Sequence, residues 1–426
     1  MDAKSLKSKI NEIQNLYIND NRPWIIGYSG GKDSTCVLQL VYMAIAQLPK
    51  EKLKKDIWVI CGDTLVEIPT VVERIDVTLE NLNQSAKKDN LPIEGLKVYP
   101  EVNDTFFVNL IGRGYPSPTR TFRWCTERLK IDPATEFIKS KVDKYGEAII
   151  VLGARKDESM SRAQTIKKYS ERGKLLKKHA TLPSANVYAP IEDWKLKDVW
   201  TFLGTFESPW GDKNKDLVMM YQKAGGDECP LVIDTSTPSC GNSRFGCWVC
   251  TVVEQDKSIQ GFIENGETWL EPMAVFRNMI LKMREEREKH RVKDEKRIGG
   301  YGPFQMKSRK MILKELFNVE KEMFDTYKKR VIRFEELLAI QNIWERQGEP
   351  KDAVKKIWNK TYELSTKPPV KDIDEEMELV RICKEYDIPY EMVNNMLIDQ
   401  RDLSKYARRR NIFTRLKSHI DKAVPI

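Results

Sequence analysis

The sequence predicts an α/β protein whose core is a doubly wound parallel sheet. Short apolar runs, each followed by a polar or glycine-rich segment, occupy residues 24–28, 56–62 and 147–154. Segments with helical spacing of apolar residues follow the first two runs, at 35–48 and 68–88. Strands that alternate with helices are typical of parallel sheets. Ligands in such sheets bind at the carboxyl ends of the strands.

Weaker strands are predicted at 96–100 and 187–191, and the pattern then changes. Residues 208–255 are rich in Gly, Pro, Ser and Cys, which predicts an irregular module held together by a metal. Residues 256–426 are predicted to be mostly helical. We therefore expect a nucleotide-binding domain at 1–207, a four-cysteine iron–sulfur module at 208–255 and a helical C-terminal region.

The composition limits the possible partners and chemistries. The 72 basic and 63 acidic residues give a net charge of +9, which permits an anionic partner such as a nucleic acid but is equally explained by a solvated basic surface. Only three histidines are present, which argues against a histidine-rich metal site or a histidine-based triad. No apolar run reaches membrane-spanning length, and the N-terminus lacks the apolar core of a secretory signal. We expect a cytoplasmic protein with no membrane partner.

A glycine-rich loop joins the first predicted strand to the helix that follows it. Glycine lets a backbone approach an anion closely, and a helix N-terminus adds unpaired N–H groups with partial positive charge. The lysine of the loop adds a full charge, its serines add hydroxyls, and its aspartate suits a magnesium ion beside phosphates. We therefore predict that phosphate groups bind, with Mg2+, at Ser29, Gly30, Gly31, Lys32, Asp33 and Ser34.

The loop sequence, SGGKDS, resembles the SGGxDS signature of the PP-loop ATP pyrophosphatases and lacks the spacing of a Walker A loop. The resemblance implies cleavage of ATP between its α and β phosphates, with AMP left on the acceptor. It also implies that Asp63, at the end of the second strand, lies beside the adenosine. From the residues alone, Asp63 is equally well explained as a cap of the next helix.

The segment GARKDES, at 153–159, follows the strongest predicted strand and resembles the GxRxxES segment of the 3′-phosphoadenylylsulfate reductase branch of the same superfamily. Gly153 and Arg155 are candidates for the nucleotide site, because an arginine can hold a phosphate through two hydrogen bonds. Arg162 is a further candidate, and a solvated charged loop is the alternative. The basic segment 165–179 would either guide an anionic substrate or form a solvated loop.

Cys125 lies in a basic segment, RTFRWCTERLK, that also resembles the reductase branch. Neighbouring cations lower the pKa of a thiol and favour the thiolate, which would carry sulfur as a persulfide or attack one. The alternative is a small buried hydrophobic residue. That alternative is the one expected for the three cysteines in apolar surroundings, Cys36, Cys61 and Cys383.

Four of the eight cysteines lie close together in the sequence, as Cys229, Cys240, Cys247 and Cys250. Zinc ribbons usually pair two CxxC turns, and only one CxxC turn is present here. Iron–sulfur clusters are held by four thiolates at more variable spacings. We therefore predict a 4Fe-4S cluster, with structural zinc and the absence of a metal as the alternatives.

Together, SGGKDS, RWCTERLK, GARKDES, PIEDWKLKDVW and CGNSRFGCWVC resemble the DndC-like sulfurtransferases of bacterial DNA phosphorothioation, over residues 20–255. The resemblance implies ATP-dependent adenylation of a DNA backbone phosphate and replacement of a non-bridging oxygen by sulfur. Lys32, Asp33, Arg155 and Cys125 are then the candidate catalytic residues, and either Cys125 or the cluster would handle sulfur. The implied partners are DNA, a cysteine desulfurase as sulfur donor, and other phosphorothioation-complex proteins.

Two other functions remain open from the sequence. One is a sulfonucleotide reductase, which would release sulfite from phosphoadenylylsulfate or adenylylsulfate. The other is a non-catalytic subunit in which nucleotide and cluster gate the assembly of a DNA-binding complex. Within the chain, the segment 405–419 mixes basic and aromatic residues and would suit DNA backbone contact or form a charged solvent face.

Overall fold

The computed structural model describes seven ranges of the chain, residues 3–158, 160–169, 175–224, 246–294, 300–362, 373–404 and 412–423. The chain divides into two compact units. The first comprises Met1–Leu110 and Gly114–Ser308, and the second comprises Ile111–Arg113 and Arg309–Ile426. The domain boundaries at 207 and 255 stay predictions.

The first unit contains a sheet with the strand order β3-β2-β1-β4-β6-β5. Neighbouring strands are parallel except for the short edge strand β5, which is antiparallel to β6. The chain runs outward from β1 to β3 and returns on the other side of β1 as β4, so the strand order reverses between β1 and β4. The strands are β1 Trp24–Gly27, β2 Ile57–Gly62, β3 Ile93–Val98, β4 Ala148–Val151, β5 Lys177–Lys178 and β6 Ala185–Tyr188.

The mixed α/β prediction with a parallel core is confirmed, with small shifts of the boundaries. The third strand covers Ile93–Val98 instead of 96–100. The fourth strand ends at Val151 instead of continuing to 154, because the polar loop that bears Gly153 begins there.

Helices cover both faces of the sheet. Neighbouring residues of a strand point to opposite faces. On one face Trp24 packs edge-on against Tyr17 of α1, with ring centroids 5.5 Å apart. On the other face Ile25 belongs to a buried cluster with Ala134 and Ile138 of α5. The helices of this unit are α1 Ala3–Asn19, α2 Lys32–Ala46, α3 Pro69–Asp89, α4 Trp124–Thr126, α5 Asp132–Tyr145, α6 Met160–Tyr169, α7 Leu196–Thr205, α8 Asn214–Ala224, α9 Lys257–Glu264, α10 Glu271–Glu285 and α11 Arg287–His290.

Helix α8 departs from the irregular structure predicted for residues 208–255. It forms because Leu217, Met220 and Tyr221 recur at helical spacing and are buried. A second departure is the hairpin of β7 Arg291–Asp294 and β8 Gly300–Phe304, which lies in the region predicted to be mostly helical.

The second unit is helical where it is described, which confirms the predicted helical C-terminal region. Its core includes Phe317 and Trp358, whose rings lie edge-on with centroids 5.0 Å apart. The fully buried carboxylate of Glu320 accepts hydrogen bonds from the amide of Val331 at 2.9 Å and the hydroxyl of Tyr362 at 3.0 Å. The helices are α12 Met306–Tyr327, α13 Phe334–Arg346, α14 Ala353–Tyr362, α15 Ile373–Glu385, α16 Tyr390–Ser404 and α17 Ile412–Ala423.

Among the helices of the described ranges, none combines the length and the apolar character that crossing a bilayer requires.

Candidate active site

The glycine-rich loop leaves β1 and enters α2 at the point where the strand order reverses. Gly30 has a φ of 73°, in the left-handed region that favours glycine. A Cβ at Gly30 would stand 2.9 Å from Cγ1 of Ile75, so the position also lacks space for a side chain. The guanidinium of Arg74 donates to the Gly30 carbonyl at 3.0 Å, which holds the loop against α3.

The two serines of the loop form hydrogen bonds within the loop. The hydroxyl of Ser34 donates to the carbonyl of Gly31 at 3.0 Å and lies 3.1 Å from the hydroxyl of Ser29. The N-cap of α2 is Gly31, whose lack of a side chain leaves the first turn without a side-chain cap from that position. Residues 29–34, between β1 and the first turn of α2, thus have the geometry of an anion-binding site, which we call the cradle.

Asp33 lies between two cations in this cradle. One of its oxygens accepts a hydrogen bond from the Nε of Arg155, and the other lies 3.1 Å from the ammonium of Lys32. All three side chains are buried, with 3–9% of their surfaces exposed. The guanidinium of Arg155 also lies 3.5 Å from Asp157. The predicted phosphate ligands Lys32 and Arg155 are therefore together, and Asp33 neutralises part of their charge.

Gly153 places the end of β4 directly on the start of α2. A Cβ at this position would stand 2.8 Å from the carbonyl carbon of Asp33 and 2.9 Å from the amide of Ser34. Real Cβ atoms essentially never approach a backbone so closely, so the contact requires glycine. This close approach brings Arg155, two residues later, within reach of Asp33.

Asp63 directly follows β2, the strand that pairs with β1, and is buried. One of its oxygens accepts from the amide of Leu65 at 2.9 Å, and the other lies 3.0 Å from the ammonium of Lys97. The next helix, α3, begins after Ile68 without a side-chain cap, so the helix-cap alternative for Asp63 is wrong. Lys97, which also pairs with Asp76, was not among the predicted site residues.

The CxxC turn, residues 247–250, packs against the segment that follows β2. The amide of Trp248 donates to the carbonyl of Val66 at 2.9 Å, and Cys247 forms an antiparallel bridge with Glu67. The thiol of Cys247 lies 3.4 Å from the hydroxyl of Thr64, the residue after Asp63. The turn is closed by a hydrogen bond of 2.9 Å from the Cys250 amide to the Cys247 carbonyl. The thiols of the turn are thus carried at the same sheet edge as the cradle.

A buried arginine of α10 holds the far side of this turn. Arg277 is 1% exposed and donates to the carbonyls of Cys250 at 2.8 Å and Glu254 at 2.7 Å, and also to that of Val253. Burial lowers the pKa of its guanidinium, which still donates to these carbonyls. Arg277 was not predicted as part of the site, because the contact joins segments more than twenty residues apart and leaves no local motif.

A chain of aromatic rings connects the CxxC turn to the segment of Cys125. Trp248 lies against Phe107 with centroids 6.1 Å apart, Phe107 contacts Phe106 at 5.6 Å, and Phe106 stacks on Trp124 at 5.3 Å. Burial raises the pKa of the Cys125 thiol to about 11, the nearby Cys250 adds to the shift, and Lys130 opposes it. The prediction of a lowered pKa for this thiol is wrong, because desolvation outweighs the effect of Lys130.

The remaining predicted residues are only partly described. Cys229 and Cys240 lie outside the described residues, so the four-cysteine site stays a prediction. In the ranges that are described, no group of three or more His, Cys, Asp or Glu residues is arranged to hold a metal. Arg162 lies on α6, and the basic segment 165–179 is described only at its two ends. The proposed DNA segment 405–419 is described only from residue 412, in α17.

A model of the phosphoadenosine phosphosulfate reductase domain matches residues 23–253, which is more than half of the chain. The chain belongs to that family. The match covers the sheet, the cradle and the CxxC turn, so these features lie within the reductase domain. The DndC-like identity is finer than this match and stays a proposal.

Two curated relatives come from Methanocaldococcus jannaschii. The uncharacterized protein MJ0066 is 27% identical over 58% of this chain and 40% of its own length. The uncharacterized protein MJ0973 is 28% identical over 62% of this chain and 56% of its own length. The chain thus matches about half the length of these relatives.

Solved structures with limited similarity include two nucleotide-related enzymes. The FMN adenylyltransferase of Candida glabrata is 18% identical, with a TM-score of 0.27 over 47% of this chain and 55% of that chain. The U34-tRNA thiolase NcsA of Methanococcus maripaludis, solved with its 4Fe-4S cluster, is 12% identical. Its TM-score is 0.28, over 70% of this chain and 84% of that chain.

Proposed function

We propose that this protein is an ATP-dependent sulfurtransferase that adenylates a DNA backbone phosphate and installs sulfur at a non-bridging oxygen. The observation that carries the proposal is the docking of the CxxC turn on residues 64–67, directly after β2. The turn and the anion cradle therefore lie at one edge of one sheet. Activation of an oxygen by ATP and delivery of sulfur by thiols require such proximity.

The first step is adenylation. A non-bridging oxygen of the DNA phosphate attacks the α phosphorus of ATP, the bond between the α phosphorus and the bridging oxygen breaks, and pyrophosphate leaves. Lys32 and Arg155 supply positive charge where negative charge develops. Asp33 holds both side chains in place.

The second step replaces the oxygen. A cysteine desulfurase partner donates sulfur as a persulfide, and a thiol reductant such as excess cysteine releases it as hydrosulfide while a disulfide forms. The hydrosulfide attacks the activated DNA phosphorus and loses its proton. The new phosphorus–sulfur bond forms as the phosphorus–oxygen bond to AMP breaks, and AMP departs with the original oxygen. Sulfur is handled by Cys125 or by the CxxC turn, and replacement of Cys125 by serine separates the two routes.

The described residues fit the two predicted inorganic groups differently. Both oxygens of Asp33 face cations, so its carboxylate does not fit a magnesium ligand, and Mg2+ would instead arrive on the phosphates of ATP. The partly buried thiols of Cys247 and Cys250 suit an iron–sulfur cluster or zinc. They would hold the group together with Cys229 and Cys240. A bound cluster would supply a site for sulfide beside the cradle.

The test is a reconstitution without oxygen. Purified protein is incubated with ATP, Mg2+, DNA, a cysteine desulfurase and cysteine, and both pyrophosphate and DNA phosphorothioate are measured. Lys32→Ala should abolish both products, whereas Lys50→Ala, which changes an exposed lysine, should retain both. Cys247→Ser should reduce iron content and visible absorbance. Normal product formation by Lys32→Ala would refute the proposal.

A second function is favoured by the family match itself. A sulfonucleotide reductase would release sulfite from phosphoadenylylsulfate in the presence of a thiol reductant, without ATP or DNA. The same protein sample tests this reaction. A third outcome, ATP binding with no pyrophosphate release, would indicate a non-catalytic, nucleotide-gated subunit of a DNA-binding complex.

A further inference from the structure

The backbone amide of Lys32, the first residue of α2, already has a hydrogen-bond partner. It donates to the hydroxyl of Tyr221 on α8 at 3.0 Å. Lys32 is 7% exposed and Tyr221 is buried, so water has little access to this hydrogen bond. The ring of Trp200 meets the Tyr221 ring edge-on, with centroids 5.2 Å apart, and fixes its position.

The same tyrosine also engages the Lys32 side chain. The ammonium lies 5.4 Å from the centroid of the Tyr221 ring, within the range of a cation–π contact. A nucleotide phosphate in the cradle would use the first-turn amides and this ammonium. Tyr221 therefore contacts both groups through which Lys32 would bind a phosphate, and its hydroxyl oxygen accepts the hydrogen bond that a phosphate oxygen would accept.

We infer that Tyr221 is a further residue of the nucleotide site. Its hydroxyl accepts the hydrogen bond of the Lys32 amide, and a phosphate oxygen of a nucleotide that binds in the cradle takes its place. This inference rests on the proposed binding of ATP at the loop. Because the Lys32 amide must exchange one acceptor for another, Tyr221 lowers the affinity for the polyphosphate, and binding displaces the Tyr221 side chain.

Calorimetry of the full chain tests the exchange. ATP with Mg2+ is titrated into the wild type, Tyr221→Phe and Tyr17→Phe. Tyr221→Phe keeps the ring and removes only the hydroxyl, so we expect ATP to bind about three- to tenfold more tightly, the equivalent of one net hydrogen bond. Tyr17→Phe, on α1, is the matched control. It also removes a buried tyrosine hydroxyl, which donates to the Lys55 carbonyl at 2.8 Å. Its affinity for ATP should equal that of the wild type.

Tryptophan fluorescence reports the movement directly. Displacement of Tyr221 changes the surroundings of Trp200, so ATP should alter the emission of the wild type. Trp200→Phe should bind ATP and lack that change. An ATP-dependent emission change that is identical in Trp200→Phe would contradict the displacement.

The outcomes separate this inference from the proposed function. If the wild type binds ATP and Tyr221→Phe binds it equally or less tightly, the role of Tyr221 is refuted and nucleotide binding stands. If neither protein binds ATP, both fail together. Tighter binding by Tyr221→Phe alone, with the Trp200 signal, supports the exchange.

Discussion

Gly153 lies against Asp33 so closely that a Cβ on residue 153 would stand 2.8 Å from the carbonyl carbon of Asp33. This contact joins the end of β4 to the first turn of α2 and sets the distance between Arg155 and the cradle. Two segments far apart in the sequence are thus in close backbone contact at the centre of the sheet.

Gly153→Ala should disturb both folding and nucleotide binding. The added methyl group has to push the backbone of Asp33 away, at a cost of about 1–3 kcal/mol in the free energy of unfolding. We also expect at least about tenfold weaker ATP binding, since α2 carries the first-turn amides. Urea denaturation and calorimetry measure the two effects. Gly204→Ala, on α7, is the control. A Cβ added at residue 204 would have no atom within 4 Å, so the free energy of unfolding should be unchanged or higher.

Asp33→Asn should destabilise the fold, because it leaves two buried cations without their shared carboxylate. The expected loss is about 3–5 kcal/mol in the free energy of unfolding. Removing one cation as well, in Asp33→Asn with Arg155→Met, should cost less than the two single changes added together. A double-mutant cycle by chemical denaturation measures this coupling. Strict additivity would show that the pair contributes no interaction energy.

Arg277→Met should loosen the CxxC turn. The guanidinium donates to the carbonyls of Cys250, Val253 and Glu254, and a methionine, which has no N–H donor, leaves them unsatisfied. We expect a loss of about 2–4 kcal/mol in the free energy of unfolding and lower iron retention after anaerobic purification. The exposed Arg287 offers a control, Arg287→Met, which should differ from the wild type by less than about 0.5 kcal/mol. Equal behaviour of the two variants would exclude the proposed support.

Lys55 should make stability depend on pH in the alkaline range. Burial lowers the pKa of its ammonium to about 8, although Asp20 opposes the shift. Between about pH 8 and the ordinary lysine value near 10.5, Lys55 is protonated in the unfolded chain and deprotonated in the folded chain. The free energy of unfolding therefore rises with pH in that window. Lys55→Met removes this contribution. The stability difference between Lys55→Met and the wild type should be largest below pH 8 and shrink towards pH 10.5, measured by urea denaturation.

Much of the fold could be predicted because it is encoded locally. The apolar strands, the SGGKDS turn and the helical spacing behind it fix the order of β1, α2 and β2. Helix α8 was missed because the Gly-, Pro- and Cys-rich composition around it hid three apolar residues at helical spacing. The limits of β3 and β4 depend on pairing with neighbouring strands, which a single segment does not reveal.

The sequence predicted which residues belong to the candidate site better than it predicted which of them contact one another. Sequence motifs pointed to Asp33 and Arg155 separately, yet their ion pair joins positions 122 residues apart. The contact of Tyr221 with Lys32 spans 189 residues and leaves no motif. The pKa of Cys125 depends on burial by segments that fold onto it, which outweighs the charges written beside it in the chain.

The backbone bridge between Glu67 and Cys247 also has a consequence for biogenesis. The surface formed by residues 64–67, on which one side of the thiol turn docks, is in place only after the strand before Glu67 has joined its sheet. Metal insertion into that turn would therefore follow completion of the α/β core, and the machinery that delivers iron or zinc would act on an already folded apoprotein instead of on the nascent chain.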